Sequence, residues 1–346
     1  MKRAELVFER PERVFAHEPP EVRGRARDDV RLLVTEPDSH RHARFEDLLQ
    51  FLSKGDLLVV NESAAIPASL PAEGRLGSIL LNLCTRFRSD LWIAEPRWSA
   101  GKPGPLPIGP DEELRIGSAT ARLLAPYPGI PRLWFALADR PFESMIAEYG
   151  GPIHYGYTDA WPMDTYQTLF SRVPGSAEMP SAARPITSRI REQLEHSGVR
   201  IAPILLHTGV SSLEIETDTV EAQAMYPEPF AISADTADAV NRTHMNGDRV
   251  IAVGTTVVRA LESAWTPEGL RPRAGFTRLF VNPDRGVHAV DGLLTGFHDP
   301  VTSHLALLTA FMGIDKVRDA YAEAIRAGYL WHEFGDSHLV IRQRDR

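Results

Sequence analysis

Apolar residues along this chain gather into short runs that end in small or polar clusters: VRLLVTE, GDLLVVNES, IAPILLHTG, RVIAVGTT and SHLVI. Continuous β-branched runs of this length predict buried strands of an α/β sheet. Between them the period changes: SRIREQLEHSG and VVRALESAW carry apolar residues three and four apart, which predicts helices with one buried face. From about residue 71 to 150 the texture shifts to GSILLNLCT, DLWIAEP, EELRIG, TARLLAPYPG and RLWFALAD, broken by Gly, Pro and Asp. That spacing predicts a small antiparallel β-barrel inserted into the α/β domain. The expected architecture is therefore a main α/β domain formed by 1–70 and 151–346, with the inserted β-barrel at 71–150. Beyond 301, VTSHLALLTAFMG and DKVRDAYAEAIRAG predict two helices, the second closed by Gly328, followed by the final strand SHLVI. No internal repeat is present, and RWSAGKPGPLPIGPDEE at 97–113 is loop chemistry.

Composition narrows the class. At 346 residues with 43% apolar content, the chain can bury a sizeable core. It has no run of eighteen apolar residues, and its start, MKRAELVFERPERVF, alternates charge with apolar residues, unlike a signal peptide. The expectation is a cytoplasmic protein without a membrane partner. The one cysteine, Cys84, excludes an internal disulfide framework and zinc sites built on several thiolates, and reads as a buried small residue. A net charge of −8 argues against wholesale coating of a nucleic acid backbone but leaves a local site open. Arginines recur in VRGRARDDVR, RPITSRIRE and the terminal IRQRDR, where they suit acids on solvated faces or bidentate grip of phosphates and carboxylates.

One join stands out. In RVIAVGTTVVRALESAW a strand pattern runs straight into a helix pattern across Gly254, Thr255 and Thr256. A glycine that lets backbone approach a ligand, with hydroxyls at a helix start, makes a candidate anion site with Thr255 or Thr256 as N-cap. No acid follows three residues later, and Arg259 occupies the first turn, where the helix dipole disfavours a cation. A bound anion would relieve that conflict; pairing of Arg259 with Glu262 one turn on would do so equally well. Common catalytic signatures are missing: no G-x-x-x-x-G-K-[ST], no G-x-G-x-x-G and no G-x-S-x-G. HEFGDSH sets His332 and His338 six apart, wrong for one helical face, so no metal is expected. His207, His298 and Asp336 each sit beside a small residue near an apolar run, where polar side chains can face a cleft at strand ends.

The order of the segments carries more. AHEPPEVRGRARDDVRLLV, FEDLLQFLSKGDLLVVNESAAIPASL, DTYQTLFSRVPGS, LLHTGV, RVIAVGTTVVRALESA, VDGLLTGFHDPVTSHLALLTAF and FGDSHLVI together resemble the S-adenosylmethionine:tRNA ribosyltransferase-isomerases of queuosine biosynthesis. The resemblance spans nearly the whole chain. It implies an α/β domain carrying an inserted β-barrel and an enzyme that uses S-adenosylmethionine as co-substrate. The ribosyl part would pass, isomerised to an epoxycyclopentane, to the aminomethyl group of a 7-deazaguanine in the tRNA anticodon, releasing adenine and methionine. On this likeness Gly254, Thr255, Thr256 and Arg259 would anchor an anion, the methionine carboxylate of S-adenosylmethionine or a tRNA phosphate, with His207 and Asn61 as cleft-lining hydrogen-bonders. Tyr166 and Gln167 would form a substrate wall, while His298 and Asp336 would take acid/base or orienting roles; Arg184, which the likeness does not supply, is newly placed in the 178–186 segment and could bind an anionic group of the substrate.

The chain also departs from the family pattern. Glu178–Ile186 stands where Ala-Ala-Pro-Thr-Ala-Gly-Leu-His-Phe is usual, so Pro185 replaces a histidine; Gln223 and Tyr226 replace a histidine pair around Met225. Ser211, Ser212 and Leu213 replace Gly-Thr-Phe, and Gly296 and Asp299 flank Phe297 and His298 in place of asparagine and leucine. Losing three imidazoles removes groups that titrate near neutral pH, which keeps open a second expectation: a paralogue acting on a free small-molecule acceptor, or a non-catalytic binder of the same fold.

Overall fold

The computed structural model describes residues 1–99, 106–210 and 213–342. Part of the 97–113 loop, Ser211 and Ser212, and the last four residues of the terminal arginine run lie outside the described residues. A nine-stranded mixed sheet organises the main domain, in the order Arg273–Thr277, Glu228–Ile232, Arg200–Leu206, Leu57–Asn61, Val250–Val253, Gly292–Thr295, Ser337–Ile341, Arg31–Glu36, Ser39–Arg44. Its middle four strands, Arg200–Leu206 to Gly292–Thr295, run parallel. Five of the strands are the apolar runs read from the sequence. The central ones are covered on both faces, which is why they lack polar alternation. Leu57 and Val59 join one apolar cluster while Leu58 and Val60 join the other, as the two-residue period of a strand requires.

Helices cover both faces. Ser188–His196 and Ala234–Met245 start at Thr187 and Ser233, whose side chains accept hydrogen bonds from the N–H groups of Ile190 and Thr236. The two helices expected beyond 301 form the span Ser303–Arg326, broken at Gly313, which has non-helical angles (φ 75°, ψ 161°). Gly328, with φ 70°, follows the second.

Six antiparallel strands between Ser69 and Ala138 close into a barrel: Ser69–Gly74, Gly77–Arg86, Leu91–Trp98, Glu112–Ile116, Ala119–Tyr127 and Ile130–Ala138. Closure leaves no open sheet edge. The barrel core, built around Leu81, Leu83, Ile93, Leu114 and Leu123, runs on into Ala177, Val210, Leu213 and Tyr226 of the main domain. Cys84 is buried in this core, where desolvation pushes its thiol up to about 12.

Asn61 is corrected by the fold. Rather than lining a cleft, it is fully buried at the end of its strand. Its Oδ1 accepts from the N–H groups of Leu206 (3.0 Å) and Ser63 (3.1 Å), and its Nδ2 donates to the Leu206 carbonyl (2.8 Å). The amide thus carries the sheet ladder past the point where the chain turns toward the barrel. Replacing Asn61 with Ala orphans two buried N–H groups, each worth about 1–3 kcal/mol when left unsatisfied. Urea unfolding of Asn61→Ala is expected to show a lower midpoint at unchanged slope; an unshifted midpoint would remove Asn61 from the determinants of stability.

Candidate active site

A cavity of about 980 Å³ lies between the barrel and the carboxyl ends of the parallel strands. This is the upper range of small-ligand sites, and strand ends are where open α/β sheets bind ligands. Ala65, Thr208, the segment 254–256 and the segment 295–299 come from chain just beyond the four parallel strands, while Glu95, Arg97 and Arg132 come from the barrel.

The strand-to-helix join opens onto this cavity. Gly254 has φ 103°, a conformation that strains any residue with a Cβ. It is itself the N-cap of the helix Thr255–Ala264, so Thr255 and Thr256 are the first two helical residues and not caps. No side chain caps this end, and the first N–H groups of a helix have no intrahelical acceptor. Thr255, Thr256 and the positive end of the helix dipole therefore line the cavity together.

Arg259 does not join them. Its guanidinium pairs with the carboxylate of Glu228, which is 2% exposed, and its Nε donates to the Leu279 carbonyl (3.0 Å). A carboxylate buried in that strand needs a cation, and this demand outweighs both arrangements that spacing suggested. Glu262 is held instead by Arg285 (2.6 Å) and by the N–H groups of His288 and Ala289 (2.7 and 2.6 Å).

His298 lines the cavity. Its Nε2 lies 2.9 Å from the Thr295 hydroxyl, its backbone N–H donates to the Tyr321 hydroxyl (3.2 Å), and its ring is 4.9 Å from His304. Burial holds the His298 imidazole well below the usual histidine range and His304 at about 4, so both are neutral at pH 7.

Asp336 does not line the cavity, and both its carboxylate oxygens accept hydrogen bonds from Arg31 and Leu330. Its Oδ1 accepts from the Arg31 backbone N–H (2.7 Å); its Oδ2 accepts from the Arg31 guanidinium (2.9 Å) and the Leu330 N–H (2.8 Å). These bonds fasten the loop 330–336. Gly335 makes the loop possible, since a Cβ there would lie 2.7 Å from the Trp331 carbonyl carbon. The loop presents His332, at φ 74°, and Glu333 to the cavity. A non-glycine residue in this region stores strain, which clusters at functional sites. The Glu333 Oε2 accepts from the Tyr157 hydroxyl (2.7 Å), and burial raises the carboxyl above its usual range. His332 stacks on Tyr157 at 4.1 Å and on Phe15 at 5.1 Å, and burial with Arg10 nearby lowers it to about 3. Arg10 also pairs with Asp299 on the cavity wall.

The other expected residues divide. Tyr166 lines the cavity, its hydroxyl accepting from the Trp161 N–H (3.3 Å). Gln167 instead clamps the backbone of Ala65, accepting from its N–H (3.1 Å) and donating to its carbonyl (2.9 Å). His207 lies behind the wall with Nδ1 2.7 Å from the Ser63 hydroxyl, and desolvation lowers it. Arg184, 2% exposed, pairs with Glu21 (2.8 Å) and rests 4.9 Å over the Phe334 ring, which leaves it no free fork for an anion. Gly254, Thr255, Thr256, Tyr166 and His298 thus share one cavity, while Asn61, Gln167, Arg184, His207, Arg259 and Asp336 hold its walls. Glu333, Tyr157 and the barrel's contribution went unread from the sequence, where His332 stood out only by its spacing from His338 in HEFGDSH and Asp299 only as a departure beside His298. Among the described residues no group of three His, Cys, Asp or Glu side chains is arranged to hold a metal ion, and no helix is long and apolar enough to cross a membrane.

A mixed α/β domain with an appended six-stranded barrel and a cavity between them defines the class. The family model described as queuosine biosynthesis protein matches residues 3–340, and the chain belongs to that family. It is 35% identical to the S-adenosylmethionine:tRNA ribosyltransferase-isomerase of Moorella thermoacetica over 99% of this chain and 100% of that one. It is 36% identical to the same-named protein of Thermus thermophilus over 91% and 93%. The crystal structure of S-adenosylmethionine tRNA ribosyltransferase from Thermotoga maritima matches with a TM-score of 0.56 and 27% identity, over 97% of this chain and 100% of that one.

The buried imidazoles give the fold a pH signature. His304 titrates at about 4, and His332 and His338 at about 3, all held down by burial. In the unfolded chain each titrates near 6.5. Below that pH the unfolded chain binds protons the native state refuses, so stability present above about pH 6.5 is lost progressively toward the folded values. Urea midpoints are expected to hold from pH 8 to 7 and to fall from 6.5 to 5, with a shallower fall in His338→Gln. An identical slope in the variant would exclude His338 as a source.

Proposed function

We propose that this chain is an S-adenosylmethionine:tRNA ribosyltransferase-isomerase, transferring the ribosyl moiety of S-adenosylmethionine to the aminomethyl group of a 7-deazaguanine in the tRNA anticodon, with loss of adenine and methionine. The observation that carries the reading is a cavity floored by a helix N-terminus and walled by buried neutral acid/base groups, in a chain that matches its family from residue 3 to 340. A tRNA substrate makes the cytoplasm its compartment.

The chemistry sets three demands. The sulfonium acidifies the 5′ carbon of S-adenosylmethionine, so a base must take a proton there; adenine must collect a proton as it leaves; and the methionine carboxylate needs a partner. The N–H groups and hydroxyls of Thr255 and Thr256 suit the carboxylate. The neutral His298 imidazole keeps a lone pair for the base, and the Thr295 hydroxyl fixes its orientation. Glu333, whose burial favours the protonated carboxyl, is the acid for adenine, with Tyr157 setting its direction. Two groups whose environments both favour the neutral form serve opposite proton transfers. Asp336 and Gln167 act as positioning residues through the 330–336 loop and Ala65.

The expectation of a free small-molecule acceptor rests on the lost histidines. Pro185, Gln223 and Tyr226 all lie off the cavity wall: Gln223 accepts from the Glu216 N–H (2.8 Å), and the Tyr226 hydroxyl donates to the Val210 carbonyl (2.7 Å). These replacements therefore leave the cavity's acid/base groups intact, and tRNA is retained as the acceptor. A base buried in the anticodon stack must be splayed out to reach such a cavity.

Purified protein with S-adenosylmethionine is expected to release adenine and methionine only when tRNA bearing 7-aminomethyl-7-deazaguanine is present, with a matching mass gain on the tRNA. Release in the absence of tRNA would overturn the acceptor. Glu333→Gln and His298→Gln are each expected to lower kcat by about 10²–10⁴-fold, the usual share of a general acid or base. Their KM for S-adenosylmethionine should stay close to that of the unaltered enzyme. An unchanged kcat in either folded variant would strike that residue from the mechanism.

A further inference from the structure

The barrel wall holds polar groups that the proton transfers above do not use. Glu95 and Arg97 lie two apart on Leu91–Trp98 and share one face of that strand. Both line the cavity, together with Arg132 of the neighbouring strand Ile130–Ala138. Glu95 is 4% exposed. One carboxylate oxygen, Oε1, accepts from Arg132. The other, Oε2, is buried and has no hydrogen-bond partner among the described residues. The nearest Arg97 nitrogen is 3.7 Å from it, beyond hydrogen-bond reach. Arg97 instead sits 5.0 Å over the Tyr155 ring, and no hydrogen bond within the described residues occupies its guanidinium.

A buried carboxylate oxygen without a donor is costly, and the cost is removed when a ligand brings the donor. We infer that Glu95, with Arg97 beside it, reads the lactam edge of the acceptor base. The inference rests on the function proposed above and specifies how that site selects its base. An ionised carboxylate only accepts and a guanidinium only donates, so the matching ligand places N–H donors next to a carbonyl acceptor. The guanine-type edge does so: its N1–H and 2-amino group face Glu95 Oε2 while O6 faces Arg97. The Watson–Crick edge of adenine offers one amino donor beside a ring-nitrogen acceptor, which the carboxylate would repel. Glu95 therefore sorts the acceptor base and leaves the adenine of S-adenosylmethionine to the wall that carries Glu333. A site built to hydrogen-bond a substrate group rejects the analogue that lacks it far more strongly than an apolar pocket can.

The test uses two anticodon stem-loops, one carrying 7-aminomethyl-7-deazaguanine and the other its analogue without the 2-amino group, with the unaltered enzyme, Glu95→Gln and Arg97→Gln. Circular dichroism and urea unfolding report whether each variant is folded, and calorimetry of S-adenosylmethionine alone on the folded variants reports whether its site is left intact. The unaltered enzyme is expected to favour the full base by about 10–100-fold in kcat/KM, as loss of a hydrogen bond to a charged group implies. In Glu95→Gln that preference should collapse to within about threefold, while affinity for S-adenosylmethionine stays within about twofold; a pair coupled through one contact gives such a non-additive cycle. Arg97→Gln lies at the partly exposed rim and stands in if Glu95→Gln does not fold; it should lower kcat/KM for both stem-loops with no loss of S-adenosylmethionine affinity. Preference kept in Glu95→Gln, or a loss of S-adenosylmethionine affinity in either variant, overturns the inference. If the unaltered enzyme turns over neither stem-loop, the proposed function fails first; equilibrium binding of the two stem-loops then tests Glu95 by the same preference.

Discussion

The carboxylate of Asp336 decides where the chemistry can be. It collects the backbone and side chain of Arg31, at the start of a sheet strand, and the N–H of Leu330, at the start of a loop. A charge 6% exposed is tolerated only with its acceptor capacity filled, and here the filling doubles as architecture. Because the loop is pinned at both ends, Gly335 can press against Trp331 and His332 can be held at positive φ. Glu333 then arrives at the cavity with Tyr157 as its partner, and Phe334 packs under Tyr166 and Arg184. Loosening the clamp would release all of these at once, although Asp336 touches none of the cavity itself.

The same economy governs the arginines. Arg184, Arg249 and Arg259 each meet a carboxylate: Glu21, Asp56 and Glu228. Their charges are consumed in holding the chain together, so they contribute little to a field outside it. Open to ligands are a helix N-terminus without a capping side chain, a barrel carboxylate with one oxygen outside any hydrogen bond beside Arg97, and imidazoles kept neutral by burial. These groups act by hydrogen bonds and proton transfer more than by net charge. A chain of charge −8 can therefore still present a site for part of a nucleic acid.

Much of the architecture was legible because it rests on one-dimensional signals. Buried parallel strands read as apolar runs, and the barrel announced itself by closely spaced short ones. The edge strands Ser39–Arg44 and Arg273–Thr277, and Glu228–Ile232 next to the second of them, went unread, since an exposed or interrupted strand has no such run. At the site, Gly254, Thr255, Thr256 and His298 were visible because local chain geometry brings them to the cavity. Arg259 and Asp336 were visible as well, but their partners Glu228 and Arg31 come from distant segments, and spacing along a helix or loop carries no trace of them. Glu333 was invisible for a related reason: a glutamate reads as solvent-facing until a tyrosine from another loop and the barrel wall bury it.

The departures from the family pattern take on a different meaning once they are placed. Pro185, Gln223 and Tyr226 lie behind the wall, Pro185 buried and the other two bonded to backbone. Glu178, Gly296 and Asp299, by contrast, lie on the wall itself, and two of the three carry charge. Tyr155 donates to Glu178, and Arg10 pairs with Asp299, so each new acid is matched by a partner reaching in from another segment. Compensated changes of this kind alter the shape and polarity of a cavity without leaving a buried charge unpaired. The site has drifted in how its rim is built, right up to Gly296 and Asp299 on either side of Phe297 and His298, while the buried His298 imidazole and Glu333 carboxyl that we propose for the proton transfers both still line the cavity.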